Sequence, residues 1–292
     1  MNNVMNKYYN IAGIGIKVSI DSQYLAKEDG ILEDYLSEDD ALDETVVVEV
    51  VDKLSEPYGE LIYSEPSLVA YAENEHVLRY DGFVERGWEE AYMRLHSTGD
   101  KKEVQLKREA IPNKLQSKLL TRSLELEHLL VKNKGIILHA AYIEYQGKAI
   151  LFTAPSGTGK STQSDLWVKF YDAELINGDR AAIRLHEDGV YAWGIPLSGM
   201  SSVHKNVKLP LAAIVYLGQA PGNRIQKLSG VKAFRKFWEG CSINVWYHED
   251  IQYGSQVAAE IISKIPVFSL ECVPDRSAAD LLYHELERLD IL

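Results

Sequence analysis

The sequence predicts an α/β fold in the second part of the chain, behind a first part that is rich in β-strands. Three observations carry this prediction. Residues 1–110 contain β-branched runs that alternate apolar and polar side chains, which is the period of strands. A leucine-rich helical period follows from Pro112. After it, predicted strands and helices alternate to the end, which is typical of α/β architecture.

Length, charge and cysteine content limit the class of protein. The chain has 292 residues, of which 46% are hydrophobic and 25% charged, enough for one large or two smaller domains. The net charge of −12 and the absence of a basic tract argue against a nucleic-acid partner. We see no membrane-length apolar run and no signal-peptide pattern, so we expect a cytoplasmic protein. Cys241 and Cys272 lack metal-ligand spacing and are interpreted as buried thiols.

The first part is interpreted as strands and hairpins. One strand is predicted over residues 9–20 and another over 44–54. Two hairpins are predicted to turn at residues 73–75 and 98–100. Residues 26–44 hold nine acidic residues and one lysine, which indicates a solvated helix or loop; a surface for a basic partner is the alternative.

A change of period marks the predicted domain boundary. Pro112 is expected to open a helix that ends near Gly135. Its predicted apolar face carries Leu115, Leu119, Leu126 and Leu130. We therefore expect a β-rich domain of unknown role over residues 1–111 and a second domain over residues 112–292.

The second part begins with two apolar strands joined at Gln146-Gly147. Further strands are predicted over residues 173–185, 189–197, 211–220 and 266–273, and helices over residues 160–170, 229–239, 254–264 and 275–289.

The turn APSGTGKST, between a strand and a helix, is the most informative segment. Successive backbone N–H groups and a helix N-terminus attract anions, and Gly157 and Gly159 would let the backbone close around a phosphate. Lys160 is expected to face solvent and reach the outer phosphates, while the Ser161 hydroxyl would bind Mg²⁺. The predicted nucleotide-binding residues are Ala154, Pro155, Ser156, Gly157, Thr158, Gly159, Lys160, Ser161 and Thr162.

The interpretations of this motif and of a second residue, Asp179, both leave an alternative open. The strict pattern has glycine where this chain has Ala154, and a glycine-rich turn with a solvated lysine is the structural alternative. Bound Mg²⁺-nucleotide also needs a carboxylate at a nearby strand end, and Asp179 follows the apolar pair Leu175-Ile176. The alternative for Asp179 is a turn-forming residue after Gly178.

Four segments in order carry a resemblance: residues 139–162, LINGDRAAI over 175–183, WGIPLSG over 193–199, and 209–229. Together they resemble the C-terminal domain of the HPr kinase/phosphorylase family, whose relatives share the phosphoenolpyruvate carboxykinase-type nucleotide fold. The resemblance covers residues 135–285 and implies a P-loop-containing kinase domain behind the β-rich domain.

The resemblance also implies roles for individual residues. A histidine on the strand before the P-loop strand lines the acceptor site in the family, and His139 falls there; a histidine satisfied within a sheet is the alternative. The family has an Asp-Asp pair where this chain has Gly178-Asp179. Asp179 is then expected either to bind the metal while His139 assists the acceptor, or to do both. The HPr-binding segment is not recognisable, so the implied acceptor is serine in a peptide or small protein, or free serine.

We therefore expect an ATP- and Mg²⁺-dependent kinase, with His139, Lys160 and Asp179 catalytic and with Ser161 and Asp179 at the metal. The alternatives are a nucleotide-binding regulator that has lost catalysis and a carboxykinase-like phosphotransferase for small molecules. One of three further cations is expected to neutralise developing charge, namely Arg180, Arg184 or Lys205. A loop over residues 194–199 suits the mouth of the site, with an ordinary turn as the alternative. Homo-oligomerisation is left open.

Overall fold

The computed structural model of the chain describes residues 3–25, 31–39, 41–111, 116–199 and 202–292. It divides into two compact units, Met1–Leu126 and Glu127–Leu292. This division falls after Leu126, whereas the sequence predicts a boundary after residue 111. The predicted helix start at Pro112 lies outside the described residues.

The described part of the first unit forms an eight-stranded sheet in the order β1-β2-β3-β8-β7-β6-β5-β4. The β2–β3 and β3–β8 pairs are parallel, and the other neighbours are antiparallel. The strands are β1 Val4–Ile11, β2 Ile14–Asp21, β3 Glu44–Val51, β4 Glu60–Glu65, β5 Leu68–Glu73, β6 His76–Gly82, β7 Ala91–Thr98 and β8 Lys101–Lys107. The unit also contains helix α1, Ser117–Leu124.

The prediction of one strand over residues 9–20 is wrong, because β1 and β2 form a hairpin there. Ala12 and Gly13 both adopt positive φ, 54° and 75°, which makes the two-residue turn that matches the twist of a hairpin. The predicted hairpins at residues 73–75 and 98–100 are confirmed. In the described part of the acidic segment most side chains are exposed, while Leu32, Tyr35 and Glu44 are buried.

The single helix expected to reach Gly135 is also wrong. Helix α1 ends at Leu124, and α2 starts at Leu126 and ends at Lys132, because Glu125 between them adopts a left-handed conformation with φ 50°. The break turns the Glu125 side chain into the first unit, where it accepts hydrogen bonds from Arg79 and Ser97. A polar contact therefore overrides the helical period.

The described part of the second unit contains a nine-stranded sheet. Its main path is β10-β9-β12-β13-β14-β17-β15, β11 and β16 pair with β9, and β10 also pairs with β14. The strands are β9 Gly135–Tyr145, β10 Lys148–Thr153, β11 Glu174–Asn177, β12 Arg180–His186, β13 Gly189–Gly194, β14 Lys208–Gln219, β15 Arg224–Leu228, β16 Cys241–Ser242 and β17 Val267–Cys272. The helices after α2 are α3 Lys160–Tyr171, α4 Gly230–Trp238, α5 His248–Lys264 and α6 Arg276–Arg288.

Helices cover both faces of this sheet. On one face, α3 and α6 contribute Trp167 and Leu282 to a core with Phe152. On the other, α4 and α5 contribute Phe237 and Ile261. Since residues alternate along β9, Ala141 and Ile143 join the first core while Leu138 and Ala140 join the second. This arrangement agrees with the predicted α/β fold of the second part.

Three further outcomes concern the second unit. The segment predicted as strand over residues 173–185 forms two strands, since Gly178-Asp179 separates β11 from β12, and the strand end predicted before Asp179 is confirmed. Cys241 and Cys272 are free thiols, and both are half-buried rather than fully buried. Among the described residues, none of the helices combines the length and the apolar character needed to span a bilayer.

Candidate active site

Strand β9 brings the predicted site residues together. Strands β10 and β11 both pair antiparallel with its second half, so both end toward His139. Thr153, the last residue of β10, pairs with Ala140, and the backbone N–H of Ala140 donates to the Asp179 carbonyl at 2.9 Å. Arg180, the first residue of β12, pairs with His139. The loop after β10 and the turn after β11 therefore lie on either side of His139, at the carboxyl ends of two parallel strands.

The loop over residues 154–159 leads from β10 directly into α3. Gly157 and Gly159 have positive φ values of 78° and 116°, which favour glycine. A Cβ added at either glycine would meet no atom within 4 Å, so the loop is open above both. Gln163 donates the first bond of α3, to the Gly159 carbonyl. The N–H groups of the first turn have no acceptor within the helix and carry its positive dipole end.

Lys160 is buried rather than solvent-facing. Its side chain folds back over the loop, and Nζ donates to the Ala154 carbonyl at 3.0 Å. Burial lowers the pKa of Lys160, and the negative charge of Asp179 opposes that shift. A cation therefore lies against the loop, close enough to Asp179 for their charges to interact.

The Asp179 carboxylate contacts a histidine and an arginine. Its Oδ1 lies 3.6 Å from His139 Nδ1, and its Oδ2 accepts from Arg180 Nε at 3.2 Å. The side chains of His139 and Asp179 are 33% and 27% exposed. By strand alternation His139 shares a face with Ala141, which is the α3 face of the sheet. His139 and Asp179 thus form one partly open polar group on the side of the sheet where the loop enters α3.

Asn177 holds the turn that presents Asp179. Its side chain is completely buried, and its Oδ1 accepts from the N–H groups of Asp179 and Arg180 at 2.9 and 3.0 Å. Its Nδ2 donates to the carbonyls of Ile195 and Leu197, so the same carboxamide also anchors the loop over residues 194–199.

That anchored loop passes closely over Asp179. A Cβ added at Gly199 would lie 2.9 Å from three Asp179 side-chain atoms. Because Gly199 has no side chain, the Asp179 carboxylate can occupy its present position. The loop predicted for the mouth of the site borders Asp179 directly.

His139 is fixed through its backbone. Its N–H donates to the Gly240 carbonyl at 2.8 Å, and its carbonyl accepts from Thr153 Oγ1 at 2.9 Å. A Cβ at Gly240 would lie 2.6 Å from Thr153 Oγ1, so glycine is required for this approach. Burial and then the charge of Lys160 lower the pKa of His139, with Asp179 acting in the opposite direction. The imidazole is therefore mainly neutral near neutral pH.

The donors present fit Mg²⁺ bound together with a phosphate. Mg²⁺ prefers oxygen ligands and usually takes one or two protein carboxylates together with substrate phosphates and water. Asp179 offers a partly open carboxylate, and Ser161 is exposed in the first turn of α3. Within the described ranges, no group of three or more His, Cys, Asp or Glu side chains forms a metal site by protein ligands alone.

Several residues around the site were not predicted from the sequence. They are Thr153, Asn177, Gly240 and Ser242, the last of which accepts from Arg180 Nη1 at 3.3 Å. The Asn177-Gly178 dipeptide is a turn signal that could have identified Asn177, because asparagine side chains bond to the backbone two residues on. For Gly240 and Ser242 the sequence carries no local signal, since they reach the site only through the pairing of β16 with β9.

Comparison with known proteins finds matches among solved structures alone. No protein-family model matches the chain, and no curated protein matches it. Among solved structures, the HPr(Ser) kinase/phosphatase from Coxiella burnetii matches with 12% identity and a TM-score of 0.30. The match covers 53% of this chain and 97% of that chain. Similarity this low says nothing of what the chain binds.

Proposed function

We propose that the second unit is an ATP- and Mg²⁺-dependent kinase that phosphorylates a hydroxyl group, with serine in a peptide, a small protein or the free amino acid as acceptor. The observation that carries the proposal is the register of β9, which brings the 154–159 loop and Asp179 to either side of His139. Phosphoryl transfer depends mainly on positioning and charge stabilisation, and this arrangement supplies an anion-attracting loop, a cation and a carboxylate within one small area.

In the proposed reaction the acceptor oxygen attacks the γ-phosphorus while the bond from phosphorus to the β–γ bridging oxygen breaks, and ADP leaves. The acceptor proton goes to His139, whose lowered pKa keeps the imidazole neutral, or to Asp179. The N–H groups of the loop and of α3 would bind the phosphates, and Lys160 would exchange the Ala154 carbonyl for a phosphate oxygen. Mg²⁺ held by Asp179 and Ser161 would supply further neutralisation of phosphate charge.

The test is direct binding of Mg²⁺-ATP, measured by calorimetry, with Lys160→Ala and Lys169→Ala compared. Lys169 lies on the same helix and is exposed, so its variant controls for the loss of a charge. We expect Lys160→Ala to abolish detectable binding and Lys169→Ala to retain it. Normal ATP affinity in a folded Lys160→Ala variant would refute the proposal.

One observation favours a second candidate, a nucleotide-binding regulator without catalysis. The family that this chain resembles has an aspartate at the position of Gly178. The one aspartate that remains, Asp179, is in contact with both Arg180 and His139. In that case the wild-type chain would bind Mg²⁺-ATP but transfer no phosphate to water, serine or peptides, and Asp179→Asn would leave nucleotide affinity unchanged. Under the kinase proposal, Asp179→Asn lowers metal-dependent turnover by orders of magnitude.

A further inference from the structure

Three cations were candidates for neutralising charge during transfer, and their surroundings differ. Arg184 Nε donates to the Asn133 carbonyl near the far end of β12 from Asp179. Lys205 pairs with Glu174, at an exposed position. Arg180 contacts Asp179 itself and is paired in the sheet with His139. Of the three, Arg180 is the one in contact with the candidate catalytic residues.

The backbone of Arg180 is held by a hydrogen bond, while its guanidinium makes several contacts that are long. Its N–H donates to the buried Asn177 side chain. Its Nη1 lies 3.3 Å from Ser242 Oγ and 3.8 Å from Glu127 Oε1, and 34% of its side chain is exposed. These are longer than the 2.7–2.9 Å typical of strong charged hydrogen bonds. The guanidinium can therefore turn without disturbing the strand.

The contact between Arg180 and Asp179 competes with metal binding. A carboxylate that accepts from a guanidinium at 3.2 Å shares its charge with that group, and a divalent cation arriving at the same carboxylate repels the arginine. Ser242 and Glu127 are already within reach and would support the guanidinium as it moves.

We propose that Arg180 exchanges partners when Mg²⁺-nucleotide binds: its guanidinium leaves Asp179, which takes the metal, and turns to the phosphoryl group being transferred. This inference rests on the proposed kinase function. Arg180 then has two opposing effects, because it weakens metal binding in the free protein and stabilises the charge on the transferring phosphoryl group.

The experiment compares the wild type with Arg180→Gln, Arg180→Lys and Arg184→Gln. Mn²⁺ binding in the presence of a non-hydrolysable ATP analogue is followed by electron paramagnetic resonance, and ATP hydrolysis is followed with water as acceptor. For Arg180→Gln we expect Mn²⁺ affinity to rise about 2- to 5-fold, the range for a partly exposed ion pair. Hydrolysis should fall about 10²- to 10³-fold, as when one stabilising donor is removed. Arg180→Lys should lie between, and Arg184→Gln should match the wild type.

The outcomes separate this inference from the proposed function. If the wild type binds and hydrolyses ATP but Arg180→Gln behaves like Arg184→Gln in both measurements, the role of Arg180 is refuted and the kinase proposal stands. Weaker Mn²⁺ binding by Arg180→Gln also refutes the exchange. If the wild type binds no nucleotide, the kinase proposal itself fails, whatever the variants do.

Discussion

Each unit contains an arginine that pairs with an aspartate, in very different surroundings. In the first unit, Arg79 donates to Asp81 at 2.9 Å and to Glu125 at 2.8 Å, and all three side chains are at most 5% exposed. In the second, Arg180 meets Asp179 at 3.2 Å with both side chains about one-third exposed. Short, buried contacts leave no room for a ligand and hold structure, whereas longer, partly open contacts keep charges available for binding.

The largest effect is expected beside the open pair, at His139, and on activity. His139→Ala should spare ATP binding and lower phosphoryl transfer by about 10²- to 10⁴-fold, because a general base is lost. Stability should change little, since His139 is held mainly through its backbone. His284→Ala, at an exposed position on α6, is the control. Transfer and binding are measured separately; an unchanged transfer rate would remove His139 from the proposed mechanism.

The buried pair should instead respond in stability. Arg79→Met leaves the Asp81 and Glu125 carboxylates buried without this partner, which costs about 3–5 kcal/mol of unfolding free energy. Arg108→Met is the matched control, because Arg108 is 54% exposed and pairs with the exposed Asp52, so its loss should change the unfolding free energy far less. Urea unfolding measures both. Equal losses in the two variants would contradict the distinction between buried and open pairs.

Gly199→Ala tests the position of the Asp179 carboxylate with no change of charge. The added methyl group would lie 2.9 Å from Asp179 side-chain atoms and displace them. Metal-dependent turnover is expected to fall about 10- to 100-fold, since small misplacements at a reacting centre are costly. Gly222→Ala is the control, because a Cβ there meets nothing within 4 Å. Turnover equal to that of the control would show that the loop does not constrain Asp179.

The smallest effect is expected on how the stability of the first unit depends on pH. Burial, followed by the charge of Arg94, lowers the pKa of His96, so the unfolded chain binds a proton there more readily than the folded chain. Stability should therefore decrease as the pH falls through about 6.5, the ordinary histidine pKa, and level off below the folded pKa. His96→Gln should reduce that dependence in urea unfolding at a series of pH values. An unchanged slope would contradict the shift.

The sequence predicts elements where local signals are strong. The hairpins at Gln146-Gly147 and at residues 98–100 carry turn glycines, and α3 follows directly from its loop, so all three were predicted with little error. The turn at Ala12-Gly13 was missed because Ala12 is not a usual residue for positive φ. The break at Glu125 depends on Arg79, which lies far away in the sequence.

For the candidate site, residue types were predictable and their surroundings were not. The loop motif named Lys160 and the strand end named Asp179 from neighbouring residues alone. The burial of Lys160, the contact of Asp179 with Arg180 and the approach of Gly199 all depend on pairing among strands that are distant in sequence. The proximity of His139 to Asp179 follows from the register of β9 with β12, which a single sequence does not specify.

The double pairing of β9 has a consequence for how ligand binding could be detected. Its first half pairs with β12 and β16 and its second half with β10 and β11, so His139 and Ala140 lie where the partners change on both sides. A small shear between the two halves of the sheet would stretch the bonds from Ala140 N–H to the Asp179 carbonyl and from His139 N–H to the Gly240 carbonyl. Hydrogen–deuterium exchange at these two amides would therefore report a shift of the site on ligand binding, with no need for a substitution in the site.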